Sequence, residues 1–163
     1  MHNTTKQRIF DLTPWAIGLL AGMALIAHEV MADGNLAAPA NERWRAECGS
    51  CHIAYPPQLL PAQSWRRVMS QLDKHFGTDA SVNSVAAAEI TAYLERYSGS
   101  ARRTASSPDS VRITKSRWFV HEHDEVKSEV WRLPAVKSAA NCGACHTSAE
   151  QGDFRKRNIR IPR

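Results

Sequence analysis

Cys48-Gly49-Ser50-Cys51-His52 recurs later in the chain as Cys142-Gly143-Ala144-Cys145-His146. Each copy sets two thiols three positions apart and places an imidazole directly after them. C-x-x-C-H is the attachment signature of a c-type haem. Thiols at that spacing reach the two vinyl groups of one porphyrin, and the next residue offers its ring to the iron from the same side. All four cysteines are used in the two runs. A four-cysteine zinc site or thioredoxin-like redox pairs would use the same thiols, but neither requires a histidine after both pairs. The sequence therefore predicts two covalently bound c-type haems, attached through Cys48, Cys51, Cys142 and Cys145. His52 and His146 are the proximal iron ligands.

The chain begins with a predicted signal peptide, residues 1–32. Lys6 and Arg8 form a basic start, Trp15 to Ala27 an apolar run, and Val30-Met31-Ala32 a small-x-small cleavage site. The apolar run is shorter than the ~20 residues that span a bilayer. Cleavage near Ala32 leaves residues 33–163 as an exported, periplasmic chain with no stable membrane insertion. Domains this small bury little apolar surface and need a staple, which the haems would supply.

The formal net charge is +5, and the presequence does not alter it. Two haems would add up to four propionates, so the fifteen arginines do not indicate a nucleic-acid partner. Arg155-Lys156-Arg157, with Arg160 and Arg163, forms a basic C-terminal cluster. It is either a solvated tail or a surface for docking an acidic partner.

The pattern along the chain predicts mainly α structure. Gly34 to Ala40 reads as a flexible mature N-terminus. Asn41 caps a helix from Glu42 to about Cys51, and Tyr55-Pro56-Pro57 through Pro61 is expected to wrap the haem edge as an extended loop. A second helix runs from Ser64 with Trp65, Val68, Met69, Leu72 and Phe76 on one face, and Gly77 stops it. A third, Val82 to Tyr97, faces Val82, Val85, Ala86, Ile90, Tyr93, Leu94 and Tyr97 inward. Residues 98–110 are a linker between a first haem domain, 33–97, and a second, 111–163. Val111 to Thr114 is extended, and a further helix covers Trp118 to Arg132 with Phe119, His123, Val126 and Val130 on one stripe. Only 17 residues follow the second motif, so its haem must draw most of its packing from upstream.

Elimination narrows the remaining iron ligands. After processing, the histidines are 52, 75, 121, 123 and 146, and the one methionine is Met69. At most one haem can then be His/Met ligated. Met69 lies centrally on an apolar helical face, where methionine fills cores, whereas His75 sits at the helix end. His75 is therefore the expected distal ligand of the first haem. His123 shares the apolar stripe of its helix and His121 lies about 160° away, so His123 is expected to serve the second haem and His121 to be solvated. Sequence proximity pairs 52 with 75 and 146 with 123; a crossed arrangement remains open.

These segments resemble the bacterial dihaem cytochrome c family. The resemblance rests on Trp65-Arg66-Arg67-Val68-Met69 leading to Leu72 and His75-Phe76-Gly77, on Arg112-Ile113-Thr114, and on Trp118-Phe119 with Glu122-His123. It continues through Asn141 to His146 and Gly152-Asp153-Phe154 to Ile159-Arg160-Ile161-Pro162. It implies a small cytochrome c-like N-terminal haem domain, an irregular and partly helical C-terminal one, and bis-histidine ligation of both irons by His75 and His123 opposite the proximal rings.

Closed axial sites favour electron transfer over catalysis, and histidine in place of methionine lowers the potential. The expected function is not enzymatic: a periplasmic one-electron carrier. The donor would be a membrane cytochrome b or quinol oxidoreductase, and the acceptor a soluble protein such as an oxygen-binding cytochrome. The alternatives are an electron-transfer subunit of a larger reductase, of the periplasmic nitrate reductase small-subunit type, and a dihaem peroxidase.

Overall fold

Asn41 starts the first helix, as its short polar side chain predicts. It accepts a hydrogen bond from Trp44 N at 2.7 Å and opens α1, Glu42–Cys48. The computed structural model describes residues 34–101 and 110–163, so the signal peptide and most of the predicted linker lie outside the described residues. Helix α1 stops at Cys48 rather than continuing to Cys51. Gly49 N donates to Arg45 O at 2.9 Å, and a Cβ on Gly49 would stand 2.3 Å from that oxygen. The glycine inside the first haem motif thus lets the chain turn tightly against its own helix.

Helix α2, Ala62–Met69, is shorter than the apolar spacing predicts. Ser70 turns its hydroxyl back to Arg67 O, the local competition with main-chain bonding that weakens serine in helices. Gln71 then leaves helical geometry. A 3₁₀ turn, Leu72–Lys74, follows, and Ala80 N donates to Leu72 O at 2.8 Å to close a loop. His75 therefore stands on a turn and not at a helix end, with Phe76 (φ 49°) and Gly77 (φ 101°) reversing the chain after it. Helix α3, Ser84–Arg96, is capped by Asn83, whose side chain accepts from Ala86 N. Ala86, Ile90, Tyr93 and Leu94 point inward as expected, but Val85 in the overhanging first turn is 69% exposed.

These three helices enclose one core of Trp44, Leu60, Trp65, Ala86, Ile90, Tyr93 and Leu94. The indole of Trp65 donates to Pro57 O at 2.7 Å, which ties α2 to the proline loop. That loop is extended only in part, since Pro57–Leu59 form a 3₁₀ turn. Arg43–Glu89 and Arg66–Glu95 link α1 and α2 to α3 at 2.7 and 3.3 Å. Such exposed pairs add little beside the buried apolar side chains.

The C-terminal half is less regular. Val111 to Thr114 is not a strand, because Ile113–Lys115 is a 3₁₀ turn. Helix α4, Arg117–Glu122, is capped by Ser116 and ends at His123 instead of running to Arg132. Four further 3₁₀ turns follow: Val130–Arg132, Cys142–Ala144, Ala149–Gln151 and Lys156–Asn158. Buried apolar side chains are few here, chiefly Phe119, Val136 and Ala149. A segment so poor in core needs a bound group to hold it.

Residues 34–163 form one compact unit. Its N-terminus is not a loose tail. Leu36 N donates to Gly152 O at 2.7 Å, Phe154 N donates to Gly34 O at 2.8 Å, and Leu36 is buried. The pairing needs a glycine at 152, where φ is 74° and a Cβ would lie 2.8 Å from Ala37. Gly152→Ala should therefore destabilise the holoprotein by at least about 1–2 kcal/mol from backbone strain alone, seen as a lower thermal midpoint. An unchanged midpoint would show that this pairing contributes nothing.

Candidate functional site

The first C-x-x-C-H run leaves α1 and delivers His52 into a turn. The His52 ring is anchored through Nδ1, which donates to Ile53 O at 2.7 Å. That bond leaves Nε2 as the free lone pair, the arrangement a metal-binding imidazole requires. His75, on the turn after α2, faces it with ring centroids 6.3 Å apart and planes 24° apart. Between and around them lies a cavity of about 580 Å³, bounded by Cys48, Cys51, Trp65, Met69 and Leu94 as well as the two rings. Its volume lies within the roughly 300–1,000 Å³ of cofactor sites.

The second site is built differently. His123 closes α4 by donating from Nδ1 to Phe119 O at 2.9 Å, which again frees Nε2. Its ring stacks on Phe119 at 4.1 Å and lies 5.9 Å from Trp131. The i, i+4 relation to Phe119 that singled out His123 survives at the helix end, although the stripe onward to Val126 and Val130 does not form. His146 faces His123 at 6.1 Å between ring centroids, with planes 75° apart. The Phe154 ring lies 5.1 Å from that of His146, and Arg160 N donates to Cys145 O at 2.8 Å. The short tail therefore contributes more to this site than its length suggested. His121 is exposed and joins neither pair.

These spacings test whether the residues fit a haem. An imidazole nitrogen binds a metal at about 2 Å, so two rings on opposite sides of one ion stand about 6 Å apart between centroids. Both histidine pairs have that separation, and each sets a C-x-x-C-H histidine beside one from elsewhere, His52 beside His75 and His146 beside His123. Met69 lines the first cavity, and His75 is the ring that faces His52. Burial, helped by the neighbouring imidazole, lowers the His75 and His146 pKa values, which favours the neutral ring. Burial pushes the free Cys48 and Cys142 thiols up to about 11. Among the described residues no three His, Cys, Asp or Glu side chains gather as a metal cage would need.

Sequence reasoning places Tyr55 at the haem edge but misses the contacts that connect the two halves. Tyr55 stacks on His52 at 4.6 Å and 22°, and its hydroxyl donates to Ala140 O at 2.7 Å, just before the second motif. Burial first, then Cys142, pushes this phenol up to about 12, so the donor keeps its proton. Cys142 itself lines the first cavity, together with Val111, Arg112 and Ile113. Nothing in the spacing of Tyr55 or Arg112 points to partners so distant in sequence.

A family model described as dihaem cytochrome c matches residues 44–154. The chain is similar to a diheme cytochrome type c of Shewanella baltica OS155, with 36% identity, a TM-score of 0.67, and coverage of 77% of this chain and 95% of that one. Two structures of diheme cytochrome c from Rhodobacter sphaeroides are similar at 36% and 39% identity, with TM-scores of 0.65 and 0.61. Each covers 72% of this chain and 99% of its own. No curated protein matches.

Tyr55→Phe keeps the ring on His52 and removes the hydroxyl that reaches Ala140. The holoprotein should lose about 1 kcal/mol of stability, measured as a shift in denaturant midpoint, with its absorption spectrum unchanged. An unaltered midpoint would show that the link across the two motifs is not stabilising.

Proposed function

Because the chain belongs to the dihaem cytochrome c family, we propose that it is a periplasmic carrier whose two haems are both ligated by paired histidines. His52 and His75 hold the first iron, and His146 and His123 the second. The observation that carries this reading is the pair of imidazole separations, 6.3 and 6.1 Å. Bound in this way, each haem supplies a one-electron couple. The four histidines close both axial positions, which leaves no site for a substrate and favours transfer over catalysis. Imidazole in place of a thioether on both irons keeps the potentials low on the haem scale.

The donor in this reading is a membrane cytochrome b or quinol oxidoreductase and the acceptor a soluble cytochrome, such as one that binds oxygen. The predicted signal peptide supports export. Among the described residues no helix is long and apolar enough to cross a membrane. Tyr55 and Cys142 bring the two motifs against one another, so an electron entering at one can leave at the other. Lys156, Arg157, Arg160 and Arg163 are exposed on the segment whose main chain bonds to Cys145. They offer an acidic acceptor a docking surface beside the second haem.

Spectroscopy tests the ligands. The nearly parallel planes of His52 and His75 should split the iron d levels and give an ordinary rhombic low-spin signal in electron spin resonance. The nearly perpendicular planes of His123 and His146 should leave two levels close together and give a strongly anisotropic one. Met69→Leu should change neither signal, and His123→Ala should abolish only the anisotropic one and open that iron to carbon monoxide. A near-infrared thioether band lost in Met69→Leu would overturn the assignment.

Partner docking is tested separately. Reversing Arg157 and Arg160 to Glu should slow electron transfer to an acidic cytochrome, and the remaining rate should depend less on salt. Equal rates for both proteins at all ionic strengths would remove this surface from the transfer route.

A further inference from the structure

We propose that Arg112 is the cation that pairs with the carboxylates of the first haem and thereby raises its reduction potential. The proposal rests on the first cavity being the site of that haem. The group brings two propionates into a space lined by the carboxylates of Glu47 and Asp79, neither of which can pair with them. Among the described lining residues Arg112 is the one lysine or arginine. It comes from the far half of the chain. Its main chain is extended, and the 3₁₀ turn that follows, closed by Lys115 N donating to Arg112 O at 2.9 Å, holds it against the cavity.

The Arg112 guanidinium carbon lies 4.4 Å from the centre of the Phe76 ring. A guanidinium on an aromatic face keeps its N–H edges free for a planar carboxylate. It makes no ion pair with any other described residue. Phe76 holds an unusual position for a large side chain, with φ at 49° and 49% of its surface exposed. Its ring meets His75 edge-on at 4.8 Å. A backbone conformation that disfavours bulky residues thus presents an aromatic platform between the distal histidine and the arginine. The platform places a fixed positive charge at the solvent edge of the first site.

Reduction adds one electron to the iron, so a nearby positive charge favours the reduced form. A unit charge at ~10 Å with an effective dielectric constant near 20 changes the reduced-to-oxidised ratio by roughly tenfold. The test is a potentiometric titration of the holoprotein, with each haem followed by its own spin-resonance signal. In Arg112→Gln that ratio for the first haem, at a fixed ambient potential, should fall about tenfold while the second haem is unmoved. Arg112→Lys, which keeps the charge, should restore most of the effect. The low-spin spectra should be the same in all three proteins.

An unchanged first-haem potential in Arg112→Gln would overturn the proposal. So would an altered ligand spectrum, which would mean that the arginine acts by holding Phe76 and His75 in place. Failure of the ligand assignment itself would be visible first in the unmodified protein, as a first-haem signal that is not bis-histidine.

Discussion

The described residues are arranged around two pairs of imidazoles held about 6 Å apart. One ring of each pair follows its cysteines directly, and the other must be carried in from a separate segment. The fold spends irregular backbone on that delivery. Helix α2 breaks at Ser70 so that His75 can stand on a turn, and α4 ends where the His123 side chain takes the Phe119 carbonyl. In both pairs the ring separation suits a single ion, while the angle between planes differs from 24° to 75°. The repeat is therefore one of chemistry and not of structure. The first motif leaves a helix and the second lies in a 3₁₀ turn.

The two halves differ in how they are held. Three helices and a proline loop give the N-terminal half an apolar core of its own, centred on Leu60, Ile90 and Leu94. The C-terminal half has short turns and few buried apolar side chains, so a large apolar disc bound between His123 and His146 would supply much of its interior. The halves are not independent. Tyr55 reaches Ala140, Val111 to Ile113 complete the first cavity, and residues 34–36 pair with 152–154. Two electron-transfer centres in so short a chain share walls, and a charge such as Arg112 can belong to one half by sequence and serve the other by position.

Local chemistry was legible where a residue acts on its neighbours. Asn41 caps its helix because its side chain reaches the N–H group three residues on. Trp65, Ile90, Tyr93 and Leu94 lie inward because their spacing puts them on one helical face. Helix ends were overextended at Ser70 and His123, where side-chain bonds to the main chain defeat an apolar pattern that continues past them. The N-terminal segment 34–40 looked flexible because it is short and built mostly of Gly, Ala and Pro. It is held by main-chain bonds to a partner more than a hundred residues away, which composition does not record.

By itself, the sequence determined two c-type haems, through four cysteines that fit two C-x-x-C-H motifs, and the few histidines and one methionine beyond residue 32 from which iron ligands could be drawn. Those follow from residue identity and short spacings, because thioether and iron bonds require particular atoms a few positions apart. Only the tertiary structure decided which other histidine stands beside each motif histidine, how the ring planes are turned, that Tyr55 reaches Ala140 and that Arg112 lines the first cavity. Those depend on where distant segments meet, and chain reversals at Ser70, Phe76 and His123 set that geometry through small local bonds.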